Sequence, residues 1–126
     1  MARKSRDLFV VTGPARRDIP AILKRSFDEF GKPASVRYSA LIRQALEDIE
    51  TDPERPGSRQ RLNIMVEGAR IYHLELSRDR VSGEKVHNPR HVLLYRQRPD
   101  GVTEVARILH DARDLTRHLP KAYRKQ

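Results

Sequence analysis

The chain contains neither cysteine nor tryptophan, and only 6% of its 126 residues are aromatic. Without cysteine it can form no disulfides and no thiolate metal sites. Its apolar residues never form the run of roughly 18 that a membrane-spanning helix needs. The polar residues 1–7 are not followed by the long apolar stretch of a secretory signal, so we expect a cytoplasmic protein.

Charge, in contrast, is plentiful and unevenly placed. The net charge is +9, and residues 85–126 carry ten Lys and Arg against four Asp and Glu. Such a basic segment attracts nucleic acid or an acidic protein, although solubility alone is the simpler explanation. With 37% apolar residues in periodic clusters, the chain suits a single domain over residues 1–126. We expect its core over 7–119 and a flexible tail at 120–126.

The N-terminal part passes from a strand pattern to a helix pattern. Residues 7–12 are rich in β-branched and aromatic side chains, and a Gly-Pro pair ends this predicted strand. The apolar residues within 19–30 then recur at helical spacing. Pro20 leaves two alternatives for the helix start. A start at Pro14 places Pro20 inside the helix with a kink, whereas a cap at Asp18 places Pro20 in the first turn.

A second helix and three further strands are predicted next. The helix has one apolar face formed by Tyr38, Leu41, Ile42, Ala45, Leu46 and Ile49. Apolar alternation predicts strands at 69–76, 91–96 and 102–109, separated by a long polar loop at 77–90 and followed by a short helix or extended segment at 110–119. The expected fold is α+β: an N-terminal strand and a helical hairpin packed on a small, mainly antiparallel sheet of three to four strands, with a short C-terminal helix.

The sequence contains no pattern typical of a cofactor or metal site. It lacks a Gly-rich phosphate loop and the common hydrolase motifs. The nearest pair of its five histidines, His87 and His91, is split by Asn-Pro and so does not lie on a helix. We therefore expect no cofactor and no metal. The one reaction that the side chains suit is RNA cleavage by acid–base chemistry, with cations around the phosphate. The candidate groups are Arg70, Arg96, Arg107, His110, Arg113 and Tyr123.

Several of these candidates also have a purely structural interpretation. His110 suits a strand end at which it hydrogen-bonds to the backbone. Arg96 and Arg107 suit ion pairs with Glu104 or Asp114, and surface pairs of this kind contribute little stability. A bare nucleic-acid-binding module is a further alternative, because aromatic and basic residues interleave along the predicted strands.

Five local patterns occur in a fixed order along the chain. They are Phe9-Val-Val-Thr-Gly-Pro-Ala-Arg-Arg-Asp-Ile19, Leu46-Glu-Asp-Ile-Glu-Thr-Asp-Pro53 followed by Pro56-Gly57, Gly68-Ala-Arg70, His91-Val-Leu-Leu-Tyr-Arg96, and Arg107-Ile-Leu-His-Asp-Ala-Arg-Asp-Leu115. In this order they resemble the RelE/ParE toxin superfamily over about residues 7–119, and the last pattern is the most specific. The Tyr-Arg and Arg-Ile-Leu-His patterns look closer to the ParE branch. Residues 76–90 depart from the family, in which this connection is a tight hairpin.

The resemblance implies a function in a type II toxin–antitoxin, or plasmid stabilisation, module. A ParE-type toxin inhibits growth through DNA gyrase without a demonstrated reaction of its own. A small ParD-like antitoxin neutralises it in a hetero-oligomeric complex, with an acidic, amphipathic tail that would complement the basic toxin. The alternative, which Tyr123 keeps open, is a RelE-like endoribonuclease that cuts mRNA on the ribosome.

The resemblance also implies candidate sites. The target-binding candidates are Arg96, Arg107, His110 and Arg113. In the nuclease alternative, His110, Arg107, Arg113 and Tyr123 would act in catalysis. The antitoxin-binding candidates are Tyr38, Leu41, Leu46 and Tyr72, of which Leu41 and Leu46 equally suit the core of the hairpin.

Overall fold

The computed structural model describes residues 8–111 and 114–125. It contains two long helices, α1 (Gly13–Phe30) and α2 (Lys32–Thr51), and four strands, β1 (Phe9–Val11), β2 (Ala69–His73), β3 (His91–Gln97) and β4 (Thr103–His110). Two short 3-10 helices lie at Leu74–Arg80 and Lys121–Tyr123. The predicted α+β class is confirmed. Within the described residues, no helix is both long enough and apolar enough to cross a membrane.

The helical hairpin begins immediately after β1. Thr12 caps α1, its hydroxyl accepting a hydrogen bond from the backbone N–H of Ala15 at 3.4 Å. The first alternative for the helix start is therefore correct, and Pro20 lies inside α1, where it cannot donate to the carbonyl four residues earlier. Gly31 alone joins the two helices, and its φ of 91° is one that glycine adopts without strain.

The sheet has the order β1-β4-β3-β2. β1 runs parallel to β4, while β3 pairs antiparallel with both β4 and β2, so the sheet is mixed and mainly antiparallel as predicted. The register of β3 on β4 shifts between Leu94 and Tyr95. The last strand in the sequence is thus an inner strand that joins β1 to the rest of the sheet.

Both faces of the sheet are covered. The helical hairpin covers one face through the buried residues Leu41, Ile42, Ala45, Ile49, Tyr72, Leu93, Tyr95, Val105 and Ile108. The opposite face carries a second core, to which the loop before β2 and the C-terminal segment contribute: Met65, Ile71, Val92, Leu94, Leu109, Leu115, Leu119 and Tyr123. The expected flexible tail at 120–126 is therefore wrong for residues 120–125. Tyr123 is 1% exposed, and Arg124 forms a β-bridge with Met65.

β2 ends three residues earlier than predicted, because the chain turns into the 3-10 helix at Leu74. A buried polar network holds this helix on α2. The Ser77 hydroxyl donates to a carboxylate oxygen of Asp48 at 2.6 Å and lies 2.8 Å from the Tyr72 hydroxyl. Arg80 donates to the other oxygen of Asp48 at 2.9 Å. The unusual segment after β2 is thus anchored through Asp48, which is itself buried.

Candidate functional site

Three histidines meet at one end of the sheet because of how the strands run. His73 ends β2, His91 begins β3 and His110 ends β4. Antiparallel neighbours place the end of one strand beside the start of the next, and His91 pairs directly with His110 in the register. Local spacing in the sequence does not reveal this convergence, because the strand predicted at 69–76 places His73 in its interior rather than at its end.

On the hairpin face, His91 forms a close pair with Tyr38. The Tyr38 hydroxyl lies 2.6 Å from Nδ1 of His91 and accepts a hydrogen bond from the N–H of Arg90 at 3.1 Å. Burial, and next the neighbouring His110, lower the pKa of His91 to about 4, while burial raises the pKa of Tyr38 to about 12. Both groups are neutral at pH 7, so neither is a general acid or base tuned to that pH.

On the opposite face, both ring nitrogens of His73 are engaged. Nε2 lies 2.8 Å from a carboxylate oxygen of Asp111, and Nδ1 accepts the backbone N–H of Glu75 at 3.1 Å. Burial opposes ionisation of Asp111, but the hydrogen bond from His73 and the charges of His73, Arg90 and His110 together outweigh it, and the pKa of Asp111 is lowered. His73 is therefore held as a donor to Asp111 and offers no free basic nitrogen.

Arg107, a candidate for target binding and for catalysis, is part of an ion pair between α1 and β4. Its Nε and Nη2 donate to the two oxygens of Asp18 at 2.7 and 2.9 Å. The hydrogen bond to Asp18 raises the pKa of Arg107 further. The same carboxylate accepts the backbone N–H of Ile108 at 2.9 Å. The suggested pairing of Arg107 with Asp114 is wrong, because Asp114 instead accepts the backbone N–H of His110 at 3.4 Å.

Arg96 and Tyr123 belong to a second structural cluster, at the other end of β4. The guanidinium of Arg96 lies 4.9 Å from the centre of the Tyr123 ring and 3.3 Å from Glu104, which confirms the Arg96–Glu104 pair. The Tyr123 hydroxyl donates to Glu104 at 2.8 Å. Burial, together with this bond, raises the pKa of Tyr123. Since Glu104 and His110 are six residues apart on one strand, Tyr123 lies roughly 20 Å from His110.

The remaining candidate side chains are His110, Arg70 and Arg113. His110 lies at the end of β4, with Nδ1 3.6 Å from Asp111 and its ring beside His91. Arg70 donates to the hydroxyl of Ser58. Arg113 lies outside the described residues. Among those described, no group of three His, Asp or Glu side chains is arranged to hold a metal ion.

Two of the antitoxin-binding candidates are inaccessible. Leu41 is 1% exposed and Tyr72 is fully buried, so neither side chain presents surface to an antitoxin in this fold. Both lie beneath the hairpin because the helix face that carries Leu41 packs on the sheet face that carries Tyr72. Tyr38 and Leu46 are half-buried against the same core.

The exposed apolar surface of the hairpin lies at its turn. Phe27 is 52% exposed, Phe30 73% and Val36 58%. We call these three residues the hairpin-tip patch. The spacing of the sequence placed Phe27 and Phe30 on the buried face of α1, but spacing alone does not tell how far along a helix the covering sheet extends.

Comparison with known families agrees with this architecture. The chain matches, over residues 9–115, the family described as the ParE toxin of the type II toxin–antitoxin system, parDE. The matched segment runs from β1 through β4 into the C-terminal segment. The protein is therefore a toxin of the type II toxin–antitoxin class, and the chain belongs to the ParE toxin family. A search of curated proteins finds no match.

Proposed function

We propose that this toxin acts by binding DNA gyrase, and that a ParD-like antitoxin neutralises it in a hetero-oligomeric complex. The observation that supports action by binding is the distance between two residues, Tyr123 and His110, that would have to act together in a nuclease. Acid–base cleavage of RNA needs a proton acceptor and a proton donor on the same reacting phosphodiester. Tyr123 is buried on Glu104, roughly 20 Å along β4 from His110.

The other side chains near that end of the sheet support the same proposal. Nδ1 of His73 accepts the backbone N–H of Glu75, and Nδ1 of His91 is hydrogen-bonded to the Tyr38 hydroxyl. Arg107 is committed to Asp18 through two hydrogen bonds, so its guanidinium has little freedom to follow a phosphate through a transition state. These contacts favour inhibition by binding over the alternative of mRNA cleavage on the ribosome.

The antitoxin is proposed to cover the hairpin-tip patch. Contiguous apolar side chains on the surface of a small protein commonly mark an interaction site. An amphipathic helix recognises such a surface through apolar anchors spaced along one face. The net charge of +9 would also speed association with an acidic antitoxin tail.

The activity is tested with the purified wild-type chain in two assays run side by side. Supercoiling by gyrase holoenzyme should be inhibited, whereas mRNA on translating ribosomes should remain intact. Tyr123→Phe and His110→Ala should leave the mRNA result unchanged. Ribosome-dependent cleavage that disappears in either variant would overturn the proposal in favour of the endoribonuclease.

The antitoxin surface is tested by growth. Expression of the chain alone should arrest growth, and coexpression with the antitoxin gene from the same operon should restore it. The double substitution Phe27→Ser/Phe30→Ser should remain toxic but escape the antitoxin. Leu62→Ser is the matched control, because Leu62 is 50% exposed but lies outside the hairpin. Rescue of the patch variant as complete as that of the control would contradict the assignment.

A further inference from the structure

A cavity of about 340 Å³ opens on the sheet face opposite the helical hairpin. It lies between the loop at 57–61, the end of β2 and the segment that follows β4. Apolar side chains of Ile71, Val92 and Leu115 line it together with charged groups. Its volume is at the lower end of the roughly 300–1,000 Å³ typical of ligand pockets. The cavity thus suits one large side chain or a small ligand.

Gly57 shapes one wall of this cavity. Its φ is +97°, and a Cβ placed there would lie 2.7 Å from Cδ1 of Leu76. Glycine therefore allows the loop to approach Leu76 and to carry Arg59 alongside β2, where it bridges Ile71 in antiparallel fashion. The wall that presents Arg59 is fixed by backbone pairing, so the cavity is a built feature of the fold.

Two arginines of the lining, Arg59 and Arg61, differ from the other cations discussed above. Arg107 and Arg96 are each paired with a carboxylate. Across the described residues, by contrast, the guanidinium groups of Arg59 and Arg61 have neither an ion pair nor a hydrogen bond. The acidic residues of the lining are Glu75, which is exposed, and Asp111, which His73 already engages.

The chemistry of the lining selects among possible ligands. His73 has both nitrogens engaged, so it offers no free basic nitrogen to a ligand in the cavity. Its described lining includes no Phe, Tyr or Trp on which a nucleobase would stack. An apolar floor beside two unpaired guanidinium groups instead complements a peptide that carries an apolar side chain next to carboxylates.

We propose that this cavity is where the toxin binds its target protein, receiving an acidic segment whose apolar side chain sits over Ile71 and Val92 while its carboxylates pair with Arg59 and Arg61. The proposal rests on the proposed function in one respect, that the target is a protein. It places target binding on the face of the sheet opposite the helices, away from the hairpin-tip patch assigned to the antitoxin.

The test compares two double variants of equal charge. Arg59→Glu/Arg61→Glu reverses the charge at the cavity. Arg17→Glu/Arg43→Glu makes the same change at two exposed helix positions. We measure the toxin concentration that half-inhibits supercoiling by gyrase holoenzyme. The cavity variant should need at least about tenfold more protein than the wild type, whereas the control should stay within about twofold.

Folding and antitoxin binding are measured on the same samples. Because neither arginine has a partner among the residues that the structure describes, the cavity variant should keep the wild-type circular dichroism spectrum and bind the antitoxin as tightly as before. Should charge reversal disturb the fold, Arg59→Gln/Arg61→Gln removes the charges without introducing acids and should still weaken inhibition several-fold relative to the wild type.

Three outcomes overturn the proposal. One is unchanged inhibition by a folded cavity variant. Another is undiminished inhibition with loss of antitoxin binding, which would make the antitoxin the occupant. The third is weaker binding to single-stranded RNA or duplex DNA with inhibition intact, which would make nucleic acid the occupant. If wild-type protein arrests growth but leaves gyrase unaffected, only the gyrase assignment fails. The growth assay then tests the cavity as the target-binding site. Loss of toxicity in the folded cavity variant supports the proposal, and retained toxicity refutes it.

Discussion

Asp18→Ala removes the carboxylate that joins α1 to β4, and we expect it to lower the free energy of unfolding by about 3 kcal/mol. The carboxylate accepts two hydrogen bonds from Arg107 and one from the backbone N–H of Ile108. The side chains of the ion pair are 26% and 16% exposed, so it is only partly screened by water. The substitution therefore removes a charge-assisted pair and leaves a strand N–H without its acceptor.

The magnitude follows from these two losses. A hydrogen bond to a charged group contributes roughly 1.5–3 kcal/mol, and we take the lower value for the Arg107 pair because it is partly exposed. Loss of the acceptor for Ile108 adds about 1.5 kcal/mol. For a chain of this length, about 4 °C of melting temperature corresponds to each kcal/mol, so the expected shift is about 12 °C. Asp18→Asn keeps an acceptor for Ile108 and should cost about half as much.

Urea denaturation followed by circular dichroism measures both variants, and Arg107→Ala completes a double-mutant cycle. The cycle should give a coupling energy of about 1–2 kcal/mol between Asp18 and Arg107. A loss below about 1 kcal/mol for Asp18→Ala, or no coupling, would refute the reasoning. Arg107→Ala should also retain gyrase inhibition at temperatures where it is folded. Abolished inhibition in folded protein would restore Arg107 as a target-binding residue.

Three further substitutions test the histidine cluster, the cluster around Tyr123 and the 3-10 helix that follows β2. Because burial, and then His110, lower the pKa of His91 from 6.5 to about 4, its contribution to stability is complete above pH 6.5 and is lost as the pH falls towards 4. His91→Gln should remove about 3 kcal/mol of that pH dependence in urea titrations, and parallel wild-type and variant curves would argue against it. Tyr123→Phe should cost about 1–2 kcal/mol yet still inhibit gyrase, so an inactive but folded variant would contradict a structural role. Ser77→Ala leaves Asp48 without its buried donor and should cost about 2 kcal/mol, with faster amide exchange in the adjoining 3-10 helix; unchanged exchange there would disprove the anchor.

The elements predicted well are those whose local pattern and tertiary packing agree. Leu41, Ile42 and Ala45 follow one helical face, and this face is the one that α2 buries. The sequence alone leaves the start of α1 open, because Pro20 is compatible with a start at Pro14 and with a cap at Asp18. The deciding contacts are long-range: the backbone N–H and the hydroxyl of Thr12 donate to the carbonyls of residues 105 and 106 at 3.0 Å.

The end of β2 shows the converse case. Leu74 and Leu76 continue the alternation of the strand, so the pattern extends the prediction to residue 76. The chain leaves the sheet because the carboxylate of Asp48 holds Ser77 against α2, across a separation of 29 residues. The buried polar contacts of Asp48 therefore outweigh three further residues of strand pattern, and no local window of sequence contains them.

The candidate site was predictable in part. The pattern at 107–115 pointed to the family that the comparison shows. It did not reveal what its side chains do, because the partner of Arg107 lies 89 residues away on α1. Tyr123 was placed in a mobile tail because short polar C-terminal segments commonly fray. It is instead buried, since Glu104 accepts its hydroxyl and Arg96 covers its ring.

The position of β4 between β1 and β3 has a consequence for synthesis of the protein. Residues 9–11 find their pairing partners only at 103–105, in β4. At about 5–20 residues per second, a ribosome releases the N-terminal strand several seconds before its partner exists. A message that is cut or stalled before this point encodes a helical hairpin and two strands, but no strand to join them to β1. We therefore expect translation to yield a folded toxin only from messages that extend through β4.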